Sequence, residues 1–262
     1  MVKTKKLLKK SGKKEKKKKT KKKTRDIVDV IFSKNLNKGS LASSNKVDYH
    51  YQHQNNILDF LNKLYKQKFL DDISFFSKPN DATLNIDIIN KKVQPLYISN
   101  DFFIRRLKKC LHKRFTPISV RALLPINKKD IESHANIIII DSKFKKIEIF
   151  EPHGYKKKYS DTYESVSKYH NKIDLLKIYF KKILPKYRLV NIVNHVKNKS
   201  FQSRYDARSG YCVTWSTLYA HYRILNPKVK VSKLLDYLKI KINENLLLRY
   251  ASYIEEKLKD KI

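Results

Sequence analysis

From residue 57 the apolar positions fall at Ile57, Phe60, Leu61, Leu64 and Tyr65, the three-and-four spacing of a helix that buries one stripe. A strand-like stretch follows at 84–90. The segment SNDFFIRRLKKCLHKRF then returns to the helical period, with Ser99 as N-cap and Phe103, Leu107, Cys110 and Leu111 as the apolar face. Further along, β-rich runs predict strands at 118–124, 135–141, 146–151 and 187–196. Helical spacing predicts helices at about 161–183, 212–225, 231–239 and 244–259. Strands clustered between helices make this an α+β chain. It contains no internal repeat.

The same pattern divides the chain. Residues 1–24, MVKTKKLLKKSGKKEKKKKTKKKT, hold fourteen lysines and one glutamate; with so little apolar area to bury they are expected to be a disordered tail. Residues 25–55 read as a partly ordered linker, and residues 56–262 as a single α+β domain. Within the linker His50 and His53 lie three apart, but no cysteine or third ligand accompanies them, so no metal site is expected there.

Charge changes the picture. The 262 residues carry a net +36 with pI ≈ 10.0, and the chain beyond the tail stays strongly basic, which predicts attraction to polyanions and makes nucleic acid an expected partner. No zinc-finger spacing or aromatic stacking platform accompanies that charge. Two cysteines, Cys110 and Cys212, are too few for a disulfide framework and point to a reducing compartment. With no apolar run of about 18 residues and no apolar stretch behind the basic N-terminus, neither a membrane span nor a secretory signal is expected. The chain is therefore read as intracellular.

Two constellations carry chemistry. In SHANIIIIDSKFKKIEIFEPHG, two β-rich runs flank a short polar turn near Ser142 and Lys143. A turn pivoting between those two residues pairs Ile138 with Ile147, Asn136 with Ile149 and His134 with Glu151. Paired residues share a face, so Glu151 is expected beside His134, with Glu148 on the opposite face. Pro152 then ends the ladder and Gly154 permits a turn. The second constellation is NKSFQSRYDARSGYCVTWSTLYAHYRILNP, where a polar loop runs through Gly210 into a helix that starts at Cys212. A cysteine in the first turn of a helix meets free N–H groups and the positive dipole end, which favour thiolate. Those N–H groups can also hold an oxyanion. Gln202, ten residues earlier, offers a side-chain amide as a second donor. Trp215 and Cys110 are read as core.

The order His134, Glu151, Gln202, Cys212, together with IFEPHG, resembles adenain, the adenovirus maturation protease, and the related ubiquitin-like-protein-specific cysteine proteases. The resemblance covers about residues 115–225. It implies a papain-like, adenain-like fold with a central mixed sheet flanked by helices and the nucleophile at a helix N-terminus. It also implies His134 as general base, Glu151 as its orienter, Cys212 as nucleophile, Gln202 as oxyanion donor, and neither metal nor organic cofactor. Three features depart from the pattern: Ala135 stands where many members have tryptophan, the gap from Gln202 to Cys212 is long, and Val213 replaces the usual glycine after the cysteine. With the Lys, Ile and Asn bias, the resemblance implies a large DNA virus as source and precursor proteins as substrates, in host cytoplasm, virion or nucleus. A deconjugating protease acting on ubiquitin-like modifiers, and a silent nucleic-acid-bound virion protein of the same fold, are the alternatives. Oligomeric state is not legible.

Overall fold

The computed structural model describes residues 55–66, 72–125, 131–152, 163–192, 201 and 211–258. The lysine tail, the linker to residue 54 with His50 and His53, and Gly154, Gln202 and Gly210 lie outside those residues.

In chain order the elements are α1 (Asn55–Lys66), a 3-10 turn (Pro79–Ala82), β1 (Thr83–Asp87), β2 (Lys92–Pro95), α2 (Asn100–Cys110), β3 (Phe115–Pro125) and β4 (Ile131–Asp141). There follow β5 (Lys146–Phe150), α3 (Tyr163–Ile183), β6 (Arg188–Asn191), α4 (Cys212–Leu225), α5 (Val231–Lys241) and α6 (Glu244–Leu258). The strands form one six-stranded sheet in the order β2-β1-β3-β4-β5-β6. It is mixed: β1–β3 and β5–β6 are parallel, and the other pairs antiparallel. Among the described residues no helix is long and apolar enough to cross a membrane.

The helices follow the apolar spacing, and Ser99 caps α2 by accepting from the Phe102 N–H at 3.4 Å. Two strands differ from the sequence reading. The one predicted to reach residue 90 stops at Asp87, whose carboxylate accepts the Asn90 N–H at 2.9 Å and its side-chain amide at 2.7 Å. With Lys91 in the left-handed region (φ 50), the chain doubles back as β2. That strand lies at the sheet edge and buries only Pro95, too little apolar pattern to announce itself. The strand predicted at 187–196 is described as Arg188–Asn191.

The β4–β5 hairpin also corrects the predicted register. Asp141 pairs with Lys146, Ile140 with Ile147 and Ile138 with Ile149, so four residues, 142–145, make the turn rather than two. Asp141 accepts the Phe144 N–H at 3.3 Å and Lys145 closes the turn with φ 49. The slip is two residues, and side chains alternate with period two, so every residue keeps its predicted face. Glu151 moves from directly opposite His134 to the diagonal position, still within side-chain reach.

Both faces of the β4–β5 ribbon are covered. Glu148 and Phe150 meet α4, where Phe150 stacks on Tyr219 with ring centroids 4.5 Å apart. On the other face Asn136 meets Lys172 of α3. This explains the unbroken run Ile137–Ile140, buried throughout: a strand covered on both sides needs no polar alternation. Helix α4 is buried along its whole length. Its aromatic and imidazole rings join Phe60 of α1 and Tyr250 of α6 around His221, and the Tyr65 hydroxyl donates to the His221 carbonyl at 3.3 Å.

A helix buried on every side must pair its charges. Arg223, near the end of α4, donates to both oxygens of Glu148 at 2.7 and 3.0 Å and lies 3.5 Å from Asp141. The Tyr219 hydroxyl donates to Glu148 at 3.2 Å. Arg223→Met would leave these carboxylates buried without that guanidinium. It is expected to lower unfolding free energy by about 3–5 kcal/mol, read as a drop in the urea midpoint at pH 7; an unchanged midpoint would show that the network contributes nothing to folding.

Candidate active site

Strand β4 continues past the end of β5. The last ladder pair is Ile137 with Phe150, so residues 134–136 face no β5 partner. The first turn of α4 takes up that edge: the Ala135 N–H donates to Cys212 Sγ at 3.4 Å, and the Ala135 carbonyl accepts from Ser216 Oγ at 3.3 Å. One turn of helix thus grips both backbone groups of a single strand residue. Ala135 is fully buried in this contact, where a larger side chain would compete for space with the neighbouring elements.

Cys212 opens α4, and Tyr211 is the N-cap. The helical ladder begins with the Trp215 N–H donating to the Tyr211 carbonyl at 2.9 Å, so the N–H groups of the first turn precede it and lie beside the sulfur. Trp215 is buried, as read from the sequence, and packs on Phe201, ring centroids 5.2 Å apart; Phe201 also meets Phe150 at 5.5 Å. The residue before Gln202 is therefore anchored between α4 and β5. Gln202 itself falls outside the described residues.

His134 bonds Glu151 through Nε2, 2.7 Å from Oε1, and its neighbour Ala135 is bound to Cys212 Sγ, which places the thiol close enough to raise the His134 pKa. With Nε2 committed to the carboxylate, Nδ1 is the nitrogen left for the sulfur. The structure therefore brings three of the four sequence-predicted site residues into one chain of contacts, Cys212 to His134 to Glu151. Cys110 is buried in the core, apart from these contacts.

Burial, the largest single influence, disfavours an imidazolium at His134, and Lys172 opposes it too; the charge of Glu151 together with hydrogen bonding to Cys212 and Glu151 more than offsets both. The balance raises the His134 pKa from 6.5 to about 9. A histidine held protonated near neutral pH beside a thiol is the electrostatic setting for a thiolate–imidazolium pair.

Three groups at the site escaped the sequence reading. Asn136 donates to Glu151 Oε2 at 2.9 Å and to the Phe150 carbonyl at 3.3 Å. Lys172 of α3 donates to Asn136 Oδ1 at 2.9 Å and also contacts Glu151 Oε2. The third is the Ala135 backbone. The signal for Lys172 was present: four and eight residues before Leu176 and Phe180, it continues the buried stripe of α3, and a lysine on such a stripe needs an acid. Among the described residues no group of three or more His, Cys, Asp or Glu is placed to hold a metal ion.

No protein-family model matches the chain, and no curated protein does. Among solved structures it is similar to the Chlamydia trachomatis effector ChlaDUB1, with TM-score 0.42 and 12% identity, covering 90% of this chain and 92% of that one. It is also similar to the effector Cdu1 of the same organism bound to ubiquitin (TM-score 0.40, 14% identity, 79% and 90% covered). A third likeness is to the Legionella pneumophila effector RavZ (TM-score 0.41, 14% identity, 79% and 62% covered). Scores below 0.5 at such identities do not by themselves establish a shared activity.

The raised His134 pKa carries a stability signature. A group whose folded pKa lies above its unfolded value contributes stability that is complete below the unfolded value and is lost as pH rises through the folded one. For His134 the window runs from 6.5 to about 9. Urea unfolding is expected to show a stability loss across that window which is smaller in His134→Gln; equal losses in parent and variant would mean that His134 is not the group that titrates.

Proposed function

We propose that the chain is a cysteine endopeptidase in which Cys212 is the nucleophile, His134 the general base and Glu151 the group that orients it. The observation that supports this most is the His134 Nε2–Glu151 hydrogen bond at 2.7 Å on the strand whose next residue, Ala135, binds Cys212 Sγ at 3.4 Å at the start of a buried helix. A buried acid–imidazole–thiol series has few structural uses, since apolar side chains would fill the same space at lower cost.

The chemistry follows from the positions. His134 takes the Cys212 proton through Nδ1 while Glu151 holds the far side of the ring and stabilises the imidazolium. The Ala135 N–H donates to Sγ and holds the sulfur beside the strand that carries His134. The sulfur attacks the scissile carbonyl, and the N–H groups at the start of α4 hold the developing oxyanion, with Gln202 as the expected second donor. His134 returns the proton to the leaving amine, and water then releases the acyl group from sulfur.

Precursor proteins of a virion and conjugates of ubiquitin-like modifiers both present an acyl group that this chemistry accepts. We propose the protease activity itself, with these two substrate classes as arms of its test. A silent site on a nucleic-acid-bound virion protein is the reading that the activity test removes. The basic composition supports a second property in either case, binding of polyanions through the lysine tail and the charged surface.

The deciding experiment combines alkylation with cleavage. At pH 6, iodoacetamide is expected to modify Cys212 far faster than Cys110, and both a modifier-derived electrophilic probe and precursor peptides are assayed for turnover. Cys212→Ala should lower cleavage by at least about 10³-fold. Equal slow alkylation of the two cysteines, or identical fragments from parent and Cys212→Ala, would remove the protease reading. For the basic surface, duplex DNA binding is expected to weaken steeply between about 50 and 200 mM salt and to fall when residues 1–24 are deleted; salt-independent binding would count against a phosphate partner.

A further inference from the structure

Glu151 uses its two oxygens differently. Oε1 meets His134 at 2.7 Å, whereas Oε2 receives the Asn136 amide at 2.9 Å and the Lys172 ammonium. Lys172 in turn is bound by Asn136 Oδ1 at 2.9 Å. Lys172, Asn136 and Glu151 thus close a three-membered ring of contacts, and all three residues are buried, Lys172 and Asn136 completely. A lysine taken wholly out of water on the apolar stripe of a helix is costly, and removing one partner of such a pair costs more still.

The charge arithmetic explains its place. With thiol and neutral imidazole, Glu151 and Lys172 cancel; with thiolate and imidazolium, all four charges still cancel. A proton can therefore pass from Cys212 to His134 with the buried cluster neutral before and after. Without Lys172 the same groups lose the one described ammonium that is bonded to Glu151 Oε2. Glu151 would then also lose a contact that fixes Oε2 and so aims Oε1.

We propose that Lys172 is a positioning residue of the site, holding Glu151 by its second oxygen and cancelling its charge so that the first oxygen serves His134. This rests on the protease reading above and extends the series by one member, from helix α3. Among the described residues, the titratable groups that act on His134 are Glu151 from the end of β5, Lys172 from α3 and Cys212 from α4.

The proposal makes a sign-reversing prediction. Lys172→Met strands a buried carboxylate, and Glu151→Gln strands a buried ammonium. The combined variant strands neither, because a carboxamide oxygen can accept from His134 in place of the carboxylate. Alkylation of Cys212 by iodoacetamide is followed from pH 5 to 9 by intact mass, with Cys110 as internal reference and thermal melting as the folding control. Glu151→Gln is expected to react about tenfold more slowly than parent at pH 6, and the double variant faster than Glu151→Gln because Lys172 opposes the imidazolium; Lys172→Met is expected to be slower than parent because it loses the contact that aims Glu151.

A double variant no faster than the slower single, or a Lys172→Met profile identical to parent, overturns the proposal. A lysine needed merely for packing of α3 would slow both backgrounds alike. If Lys172→Met does not fold, Glu151→Gln against the double variant still decides, since recovery on removing Lys172 from that background is expected and further loss refutes it. Failure of the protease reading looks different, because parent Cys212 would then show no advantage over Cys110 at pH 6.

Discussion

Past Ile137 the strand β4 has no β5 beside it, and the backbone of Ala135 bonds instead to the side chains of Cys212 and Ser216 on α4. A sheet edge capped by a helix start is an unusual exchange, because strand N–H and carbonyl groups ordinarily find other strands. Here it fixes where the sulfur lies relative to the strand that carries His134. It also requires β5 to stop at Phe150, which leaves Glu151 at the end of the ladder and free to turn its carboxylate toward the imidazole. The three side chains meet because one strand is longer than its neighbour.

Burial sets the chemistry of that meeting. In water, the attraction between Glu151 and an imidazolium would be weak; inside, with water excluded, it combines with hydrogen bonding to offset the desolvation that would otherwise keep His134 neutral. The same exclusion makes the charges interdependent. Asn136 and Lys172 are as much a part of the carboxylate's environment as His134 is, and the second oxygen of Glu151 is fully engaged by them. Beside them α4 carries buried Thr217 bonded to the Val213 carbonyl at 2.8 Å and Arg223 bonded to Glu148, so these two side chains are bonded inside the core rather than displayed.

Much of this was legible in the chain. The helical stripe from Ile57, the Ser99 cap, the start of α4 at Cys212 and the opposed faces of Glu148 and Glu151 all follow from spacing. The hairpin register did not, because the turn depends on Lys145 adopting a left-handed backbone that favours glycine and asparagine and gives no signal in a lysine-rich segment. The reading survived a two-residue slip since faces repeat every second residue; a slip of one would have turned Glu151 away. Strand β2 was hidden by its exposed edge. Lys172 was hidden by composition: among 60 lysines and arginines, a single cation on an apolar stripe does not stand out until the partner acid is known to face it.

Helix α4 is held at both ends by unlike means. Its first residue meets β4 through sulfur, and near its far end Arg223 is bound to Glu148 on β5 by two hydrogen bonds. At about 1.5 Å per residue the two attachments are roughly 16 Å apart along one rigid rod. The Arg223–Glu148 pair thus fixes the far end of the same helix that begins at Cys212.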